Sequence, residues 1–256
     1  VSDEVHRLGS SQNSLILNKI ESGARLGLSA TPERFMDPLG TERIFNYFGG
    51  ILEPIYELKD AIGKALVPYD YYPTQCVLTE DELDRWAELS NIINKLCASC
   101  KVNSNGELIP SDFLKLKLIE RARIAKQADN KVSLTRKILA ENYHIGEKWL
   151  VYCDSAKQMS DIAQSLDSLN ISSSFYYSKM HDLEKEQALK NFKINGGILL
   201  SIKCLDEGID IPSITHALIV ASDQNPRQFI QRRGRVLRKD PLNPAKNKAY
   251  IWDIIL

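Results

Sequence analysis

Two clusters in this chain carry residue types that could work on a phosphate. The first is Asp3-Glu4-Val5-His6, in which adjacent carboxylates precede an imidazole. Neighbouring acids at a strand end suit nucleotide hydrolysis: one holds Mg²⁺, usually through water, and the other orients or deprotonates the attacking water. Taken alone, two acids beside a turn are more often a solvated loop. The second cluster is Gln231-Arg232-Arg233-Gly234-Arg235-x-x-Arg238. Arg235 and Arg238 fall three apart, on one face of a helix, where both guanidinium groups can converge on a phosphate. Its bland alternative is a basic solvated helix face. From Pro226 to Lys248 there are eight Lys or Arg and one Asp, a net +7 in a chain whose 33 basic and 33 acidic residues cancel. That balance excludes a globally basic nucleic-acid coat but not a local patch.

The elements that must position these clusters follow from apolar patterning. With 256 residues, the chain corresponds to about 1.7 domains of ordinary size. Its 43% hydrophobic and 26% charged composition excludes wholesale disorder. No apolar run approaches the roughly 18 residues a membrane span needs, and the N-terminus lacks the basic start and apolar stretch of a signal peptide. Short apolar runs at Trp149–Cys153, Ser173–Tyr177, Gly197–Ile202, Thr215–Ala221 and Ala249–Ile254 alternate with helical stretches. Such alternation predicts a mostly parallel α/β sheet with helices on both faces. Arg25–Leu28 reads as a further short buried strand, stopped by Ser29-Ala30-Thr31-Pro32.

Between Leu78 and His144 the pattern is helical and charged. Thr79 and Glu82 form a capping box, and Ser111 caps a second helix. On that second helix Phe113, Leu116, Leu118 and Ile119 alternate with Lys115, Lys117, Arg121, Arg123 and Lys126. Asn103-Ser104-Asn105-Gly106 reads as a turn. The stripe Leu83, Trp86, Leu89, Ile93, Leu96, Cys97, Cys100 has helical spacing, which favours a buried face over a metal site for Cys97-x-x-Cys100. Five sparse cysteines suit a reducing compartment. Tyr69, Tyr71 and Tyr72 in VPYDYYP read as a packed connection rather than a base-stacking platform.

Ligands of open parallel sheets bind beyond the carboxyl ends of the strands. The polar residues after each apolar run are therefore the ones to inspect: Asp3–His6, Ser29-Ala30-Thr31, Asp154-Ser155, Ser201–Asp210 and the stretch after Ala221.

In this order the motifs resemble those of superfamily 2 helicases, on the DExH side. DEVH at Asp3–His6 is similar to motif II (Walker B) and SAT at Ser29–Thr31 to motif III. Asp206-Glu207-Gly208-Ile209-Asp210-Ile211-Pro212 is similar to motif V, and QRRGRVLR at Gln231–Arg238 to motif VI. The strings LGLSATPER and LDEGIDIP resemble the branch of DNA-repair helicases and restriction-associated motors, including the Res subunits of type III restriction enzymes.

The resemblance implies two RecA-like lobes with ATP in the cleft between them. Residues 1–66 would be the C-terminal remnant of lobe one, and residues 67–256 lobe two with a helical insertion at about 79–146. It implies that Asp3 holds Mg²⁺ through water, that Glu4 positions the hydrolytic water, and that His6, Ser29 and Thr31 couple nucleotide state to nucleic acid. Gln231 would face His6, Gly208 and Asp210 would approach the nucleotide, and Arg235 and Arg238 would serve as arginine fingers. Asp154, Ser155, Ser201 and Glu207 would hold nucleic acid, DNA favoured over RNA. No G-x-x-x-x-G-K-[ST] occurs: Gly63-Lys64 is followed by Ala65, and Leu58 stands where the first Gly belongs. The P-loop lobe is accordingly expected upstream in the same protein, this fragment alone is expected to be inactive, and nuclease or repair subunits are the expected partners. A cytoplasmic location without membrane contact is also expected. A binding or regulatory fragment that never hydrolyses ATP remains the alternative.

Overall fold

The computed structural model describes residues 1–17, 19–102, 106, 108–202, 211, 213–222 and 234–256. The strands are β1 (Tyr69–Gln75), β2 (Lys101–Val102), β3 (Leu108–Ile109), β4 (Lys148–Cys153), β5 (Ser173–Tyr176), β6 (Gly197–Ile202), β7 (His216–Ile219) and β8 (Ala249–Ile255). The helices are α1 (Ser14–Leu17), α2 (Pro38–Phe48), α3 (Leu58–Ala61), α4 (Glu80–Ala98), α5 (Asp112–Lys126), α6 (Asn130–Asn142), α7 (Ala156–Asp167) and α8 (Asp182–Asn195), preceded by a 3-10 turn at Val5–Gly9. Residues 1–56 and 88–120 make one unit; residues 57–87, 121–222 and 234–256 make another.

The second unit is built on a six-stranded sheet in the order β1-β8-β7-β4-β6-β5, with every pairing parallel. The run Trp149–Cys153 is apolar throughout because β4 lies inside this sheet and is covered on both faces. Trp149, Val151 and Cys153 pack with Ile138 and Leu139 of α6 and with Ile162 and Leu166 of α7. Leu150 and Tyr152 point the other way, toward Phe192 of α8 and toward Val236 and Leu237. Each fully buried Leu or Ile contributes about 1.5–3 kcal/mol. A charged group inside this core must therefore be held by specific partners. The strands expected from apolar patterning are β4 to β8, and the parallel α/β fold with helices on both faces is the one observed.

Local signals set the helix ends. The Thr79 N–H donates to Glu82 Oε2 at 2.9 Å, and the Glu82 N–H donates to Thr79 Oγ1 at 3.4 Å, closing the capping box of α4. The Ser111 hydroxyl accepts from the Leu114 N–H at 3.2 Å at the start of α5.

Several expectations are corrected. VPYDYYP is not a connection: Tyr69–Gln75 is edge strand β1, paired residue for residue with Ala249–Ile255. An edge position tolerates Pro73, which has no N–H for a second ladder. Arg25–Leu28 is not a buried strand. It makes one bridge, Ser2 to Gly27, and leaves Leu26 and Leu28 exposed. In the α4 stripe Leu89 and Ile93 are buried, but Leu83 is exposed and Cys97 and Cys100 are half-buried free thiols. On α5 the buried residue is Leu114, while Phe113, Leu116 and Ile119 face outward. The turn read at 103–106 lies, apart from Gly106, outside the described residues. Among the described residues no helix is long and apolar enough to cross a membrane.

Candidate functional site

In the first unit the DEVH and SAT segments are joined. The Ser2 N–H donates to the Leu26 carbonyl at 2.8 Å, the Leu28 N–H to the Ser2 carbonyl at 2.8 Å, and the Val5 N–H to the Leu28 carbonyl at 3.1 Å. Gly27 permits this approach: a Cβ there would lie 2.9 Å from Val5 Cγ1. The chain then turns sharply at Glu4, whose backbone takes the left-handed conformation (φ 49°, ψ 45°). For a residue with a Cβ that conformation costs on the order of 1–2 kcal/mol. Asp3 is left exposed, while the half-buried Glu4 carboxylate stays beside the buried ring of His6.

His6, only 4% exposed, is the centre of this arrangement. Its Nδ1 lies 3.1 Å from Ser29 Oγ and 3.2 Å from Glu4 Oε2. With a proton on Nδ1 the ring donates toward both oxygens; without it, the Ser29 hydroxyl can donate to the ring. Ser29 Oγ also accepts from the Thr31 N–H at 3.2 Å. The imidazole, the Ser29 hydroxyl, the Thr31 N–H and the Glu4 carboxylate therefore form a single polar chain.

Behind it the Arg34 guanidinium donates to the His6 carbonyl and, through Nε, to Asp37 Oδ2 at 2.7 Å. Asp37 caps α2 by accepting from the Gly40 N–H at 2.9 Å. Burial acts to raise the Asp37 carboxyl, but the Arg34 hydrogen bond, the Gly40 N–H and the Arg34 and Arg43 charges outweigh it and hold it low. The anchor of His6 is thus ionised.

In the second unit Asp154 and Ser155 sit where the sheet rule puts them, at the end of β4. Asp154 follows β4; its Oδ2 accepts from Gln127 Nε2 at 2.6 Å, and its N–H donates to Gln158 Oε1 at 2.9 Å. Ser155 caps α7, its hydroxyl accepting from the Gln158 N–H at 3.2 Å. Ser201 is 0% exposed within β6 and presents no surface to a polymer. Arg235 is half-buried in a helical turn at residues 234–237. Arg238 is not on that turn. It makes an antiparallel bridge with Leu66, beside the Val67 N–H to Leu237 carbonyl bond of 2.8 Å. The helical spacing read for the pair breaks there because this bridge captures the backbone. Glu207, Gly208, Asp210 and Gln231 lie outside the described residues.

The basic face of α5 is partly neutralised. Lys115 pairs with Asp112 at 3.2 Å and Lys117 with Glu120 at 2.8 Å, while the Arg121 guanidinium lies 5.1 Å from the Trp86 ring centre. Exposed pairs of this kind are worth little, so α5 reads as a solvated face.

Sequence reasoning missed a polar cluster at the carboxyl ends of β7 and β8. Lys131 is 2% exposed, and its Nζ donates to the carbonyls of Val220 at 2.6 Å and Ile254 at 3.0 Å. Burial pushes its pKa down to about 8, against the opposing pull of Cys76, Asp253 and Asp154. Buried Asp253 accepts from the Tyr71 hydroxyl at 2.9 Å and from the Ser222 hydroxyl. A lone acid within the apolar stretch AYIWDIIL was the available signal for Asp253. Lys131 offered none.

Residues 130–240 match the helicase conserved C-terminal domain family. The similarity of this segment is to the C-terminal domain of helicases. Across the wider chain, the DNA 3'-5' translocase XPB2 of Sulfurisphaera tokodaii is 26% identical over 253 residues, covering 93% of this chain and 55% of that protein. The general transcription and DNA repair factor IIH helicase/translocase subunit XPB/SSL2 of Saccharomyces cerevisiae is 24% identical over 259 residues, covering 99% of this chain and 26% of that one. The chain therefore spans about half or less of the curated relatives it matches. In fold it is similar to the Sulfolobus solfataricus SWI2/SNF2 ATPase core domain, with a TM-score of 0.50 at 14% identity over 84% of this chain and 44% of that one. The matched segment spans α6 to β7 and the Arg235 turn, and the parallel sheet to which its strands belong has the RecA-like fold expected from the sequence.

ATP use goes with helicases, and Mg²⁺ accompanies it. Asp3 offers an exposed oxygen ligand of the kind a hard cation takes, and its Oδ1 accepts from the Glu4 N–H at 2.9 Å.

Proposed function

We propose that this chain belongs to an ATP-driven DNA translocase or helicase of the DExH type, working in repair or restriction. The observation that carries the reading is the His6–Ser29 contact of 3.1 Å, because it ties the hydrolytic DEVH segment to the SAT segment as a coupled motor requires. The names of the relatives favour DNA over RNA and a repair setting over restriction.

In this reading Asp3 holds Mg²⁺ through water and Glu4 orients the attacking water. ATP and Mg²⁺, when bound, supply the transferable phosphoryl group and the charge that neutralises it. Arg235 and Arg238 stabilise charge on the γ-phosphate, worth about 10³–10⁵ in rate in nucleotide hydrolases. Gln231, Gly208 and Asp210 complete the nucleotide side. His6, Ser29 and Thr31 relay its state, and Asp154, Ser155 and Glu207 hold the polymer backbone. A backbone-held strand gives weak sequence preference and steep salt dependence. The phosphate-cradling P-loop belongs to an upstream lobe, and nuclease or repair subunits are its partners.

The test is ATP turnover by the full-length protein alone and with duplex DNA, single-stranded DNA or RNA. Stimulation by DNA is the expected result. Turnover indifferent to every polymer overturns the motor reading.

A further inference from the structure

The short connection from α5 into α6 reaches the strand ends of the second unit. Gln127 Nε2 donates to Asp154 Oδ2 at 2.6 Å. Beside it, the Lys126 carbonyl accepts from Gln158 Nε2 at 2.9 Å, and Gln158 Oε1 accepts from the Asp154 N–H at 2.9 Å. Five residues after Lys126, the Lys131 ammonium bonds the carbonyls of Val220 and Ile254. Two residues beyond Val220, the Ser222 hydroxyl bonds to Asp253. One hexapeptide, 126–131, thus joins the end of β4 to the ends of β7 and β8.

We propose that residues 126–131 transmit polymer binding from Asp154–Ser155 to the β7 exit that leads toward Arg235, with Lys131 as the positioning residue. This rests on the motor reading above. Packing alone does not call for a lysine here: burying an ammonium is costly before its bonds are made, and an apolar side chain of similar volume is often as stable. What the ammonium adds is direction. It fixes the separation of two main-chain carbonyls on adjacent strands, and it holds them to the same peptide that carries Gln127. A shift of Asp154 then pulls on Gln127 and, within one turn of α6, on Lys131. Such coupling requires that both ends bias a shared element, which substitutions at both ends can measure.

The experiment uses the full-length protein with Lys131→Met, Gln127→Ala, the double variant and the conservative Lys131→Arg. Two quantities are read: the ratio of DNA-stimulated to unstimulated ATP turnover, and amide exchange at residues 213–222 with and without a single-stranded oligonucleotide. Both single variants should leave unstimulated turnover within about twofold and lower the stimulation ratio about tenfold, with the double variant no worse than either. Lys131→Arg should restore part of the ratio. In wild type the oligonucleotide should slow exchange at 213–222, and Gln127→Ala should abolish that slowing. An unchanged ratio, or equal loss of stimulated and unstimulated turnover, overturns the proposal. If Lys131→Met does not fold, Gln127→Ala at its exposed site decides alone. A wild-type protein without stimulated turnover overturns the motor reading instead. The exchange measurement then decides the transmission: oligonucleotide binding that leaves 213–222 unchanged defeats it.

Discussion

The imidazole of His6 and the hydroxyl of Ser29, 23 residues apart in the chain, meet at 3.1 Å. Together with the main-chain bonds between Ser2, Val5 and Leu26–Leu28, this contact joins the segment carrying Asp3 and Glu4 to the loop that ends in Thr31. Ser29→Ala removes it and leaves Nδ1 with the Glu4 carboxylate. Losing one such bond costs about 1–1.5 kcal/mol, so strand displacement per ATP should fall about tenfold while ATP turnover changes far less. Parallel assays of turnover and oligonucleotide displacement on the full-length protein check this; equal losses in both would remove the relay role.

Arg235 tests the chemistry. Its turn is anchored in the core of the second unit by buried Val236 and Leu237. Arg235→Ala should lower DNA-stimulated turnover of the full-length protein by about 10³, with oligonucleotide affinity unchanged. A loss of affinity of the same size would make Arg235 a polymer contact.

Gly9 sits where the backbone of α2 passes closest to the 3-10 turn. A Cβ there would strike the Gly40 carbonyl and lie 2.9 Å from Ile44 Cδ1. Because the obstacle is main chain, Gly9→Ala should destabilise the first unit by about 1–3 kcal/mol. Thermal unfolding monitored within residues 1–56 provides the measurement, and an unchanged midpoint would mean α2 moves aside freely.

Two depressed bases give the second unit a pH dependence of one sign. The folded protein releases the Lys131 proton near pH 8, whereas the unfolded chain keeps it to about 10.5. Between those values the unfolded state binds more protons, so stability rises with pH. Burial likewise lowers His216, against the pull of Glu147 and helped by His144, so stability falls as pH drops below about 6.5. Unfolding midpoints from pH 5 to 10 should climb in two steps. Lys131→Met should flatten only the alkaline step.

Much of this was visible in the amino acids. Strands β4 and β6 are read easily because interior parallel strands are apolar on both faces, and a continuous run is hard to mistake. β1 escaped because an edge strand with Tyr, Asp and Pro has no such run; its identity depends on Ala249–Ile255, far along the chain. Order and type single out candidate residues, yet type does not tell which of them are covered. Ser201 looked like a polymer contact and is buried, because it follows an apolar run without leaving the strand. Lys131 was invisible for the opposite reason: a lysine on a polar-looking helix carries no mark of the two carbonyls that hold it.

The pairing of β1 with β8 has a consequence for biosynthesis. The Tyr71 hydroxyl donates to Asp253, 182 residues further along. During synthesis β1 is made well before β8, so α4 to α8 and the inner strands are made while it lacks the strand it pairs with. Until residues 249–255 follow, that edge of the sheet cannot close.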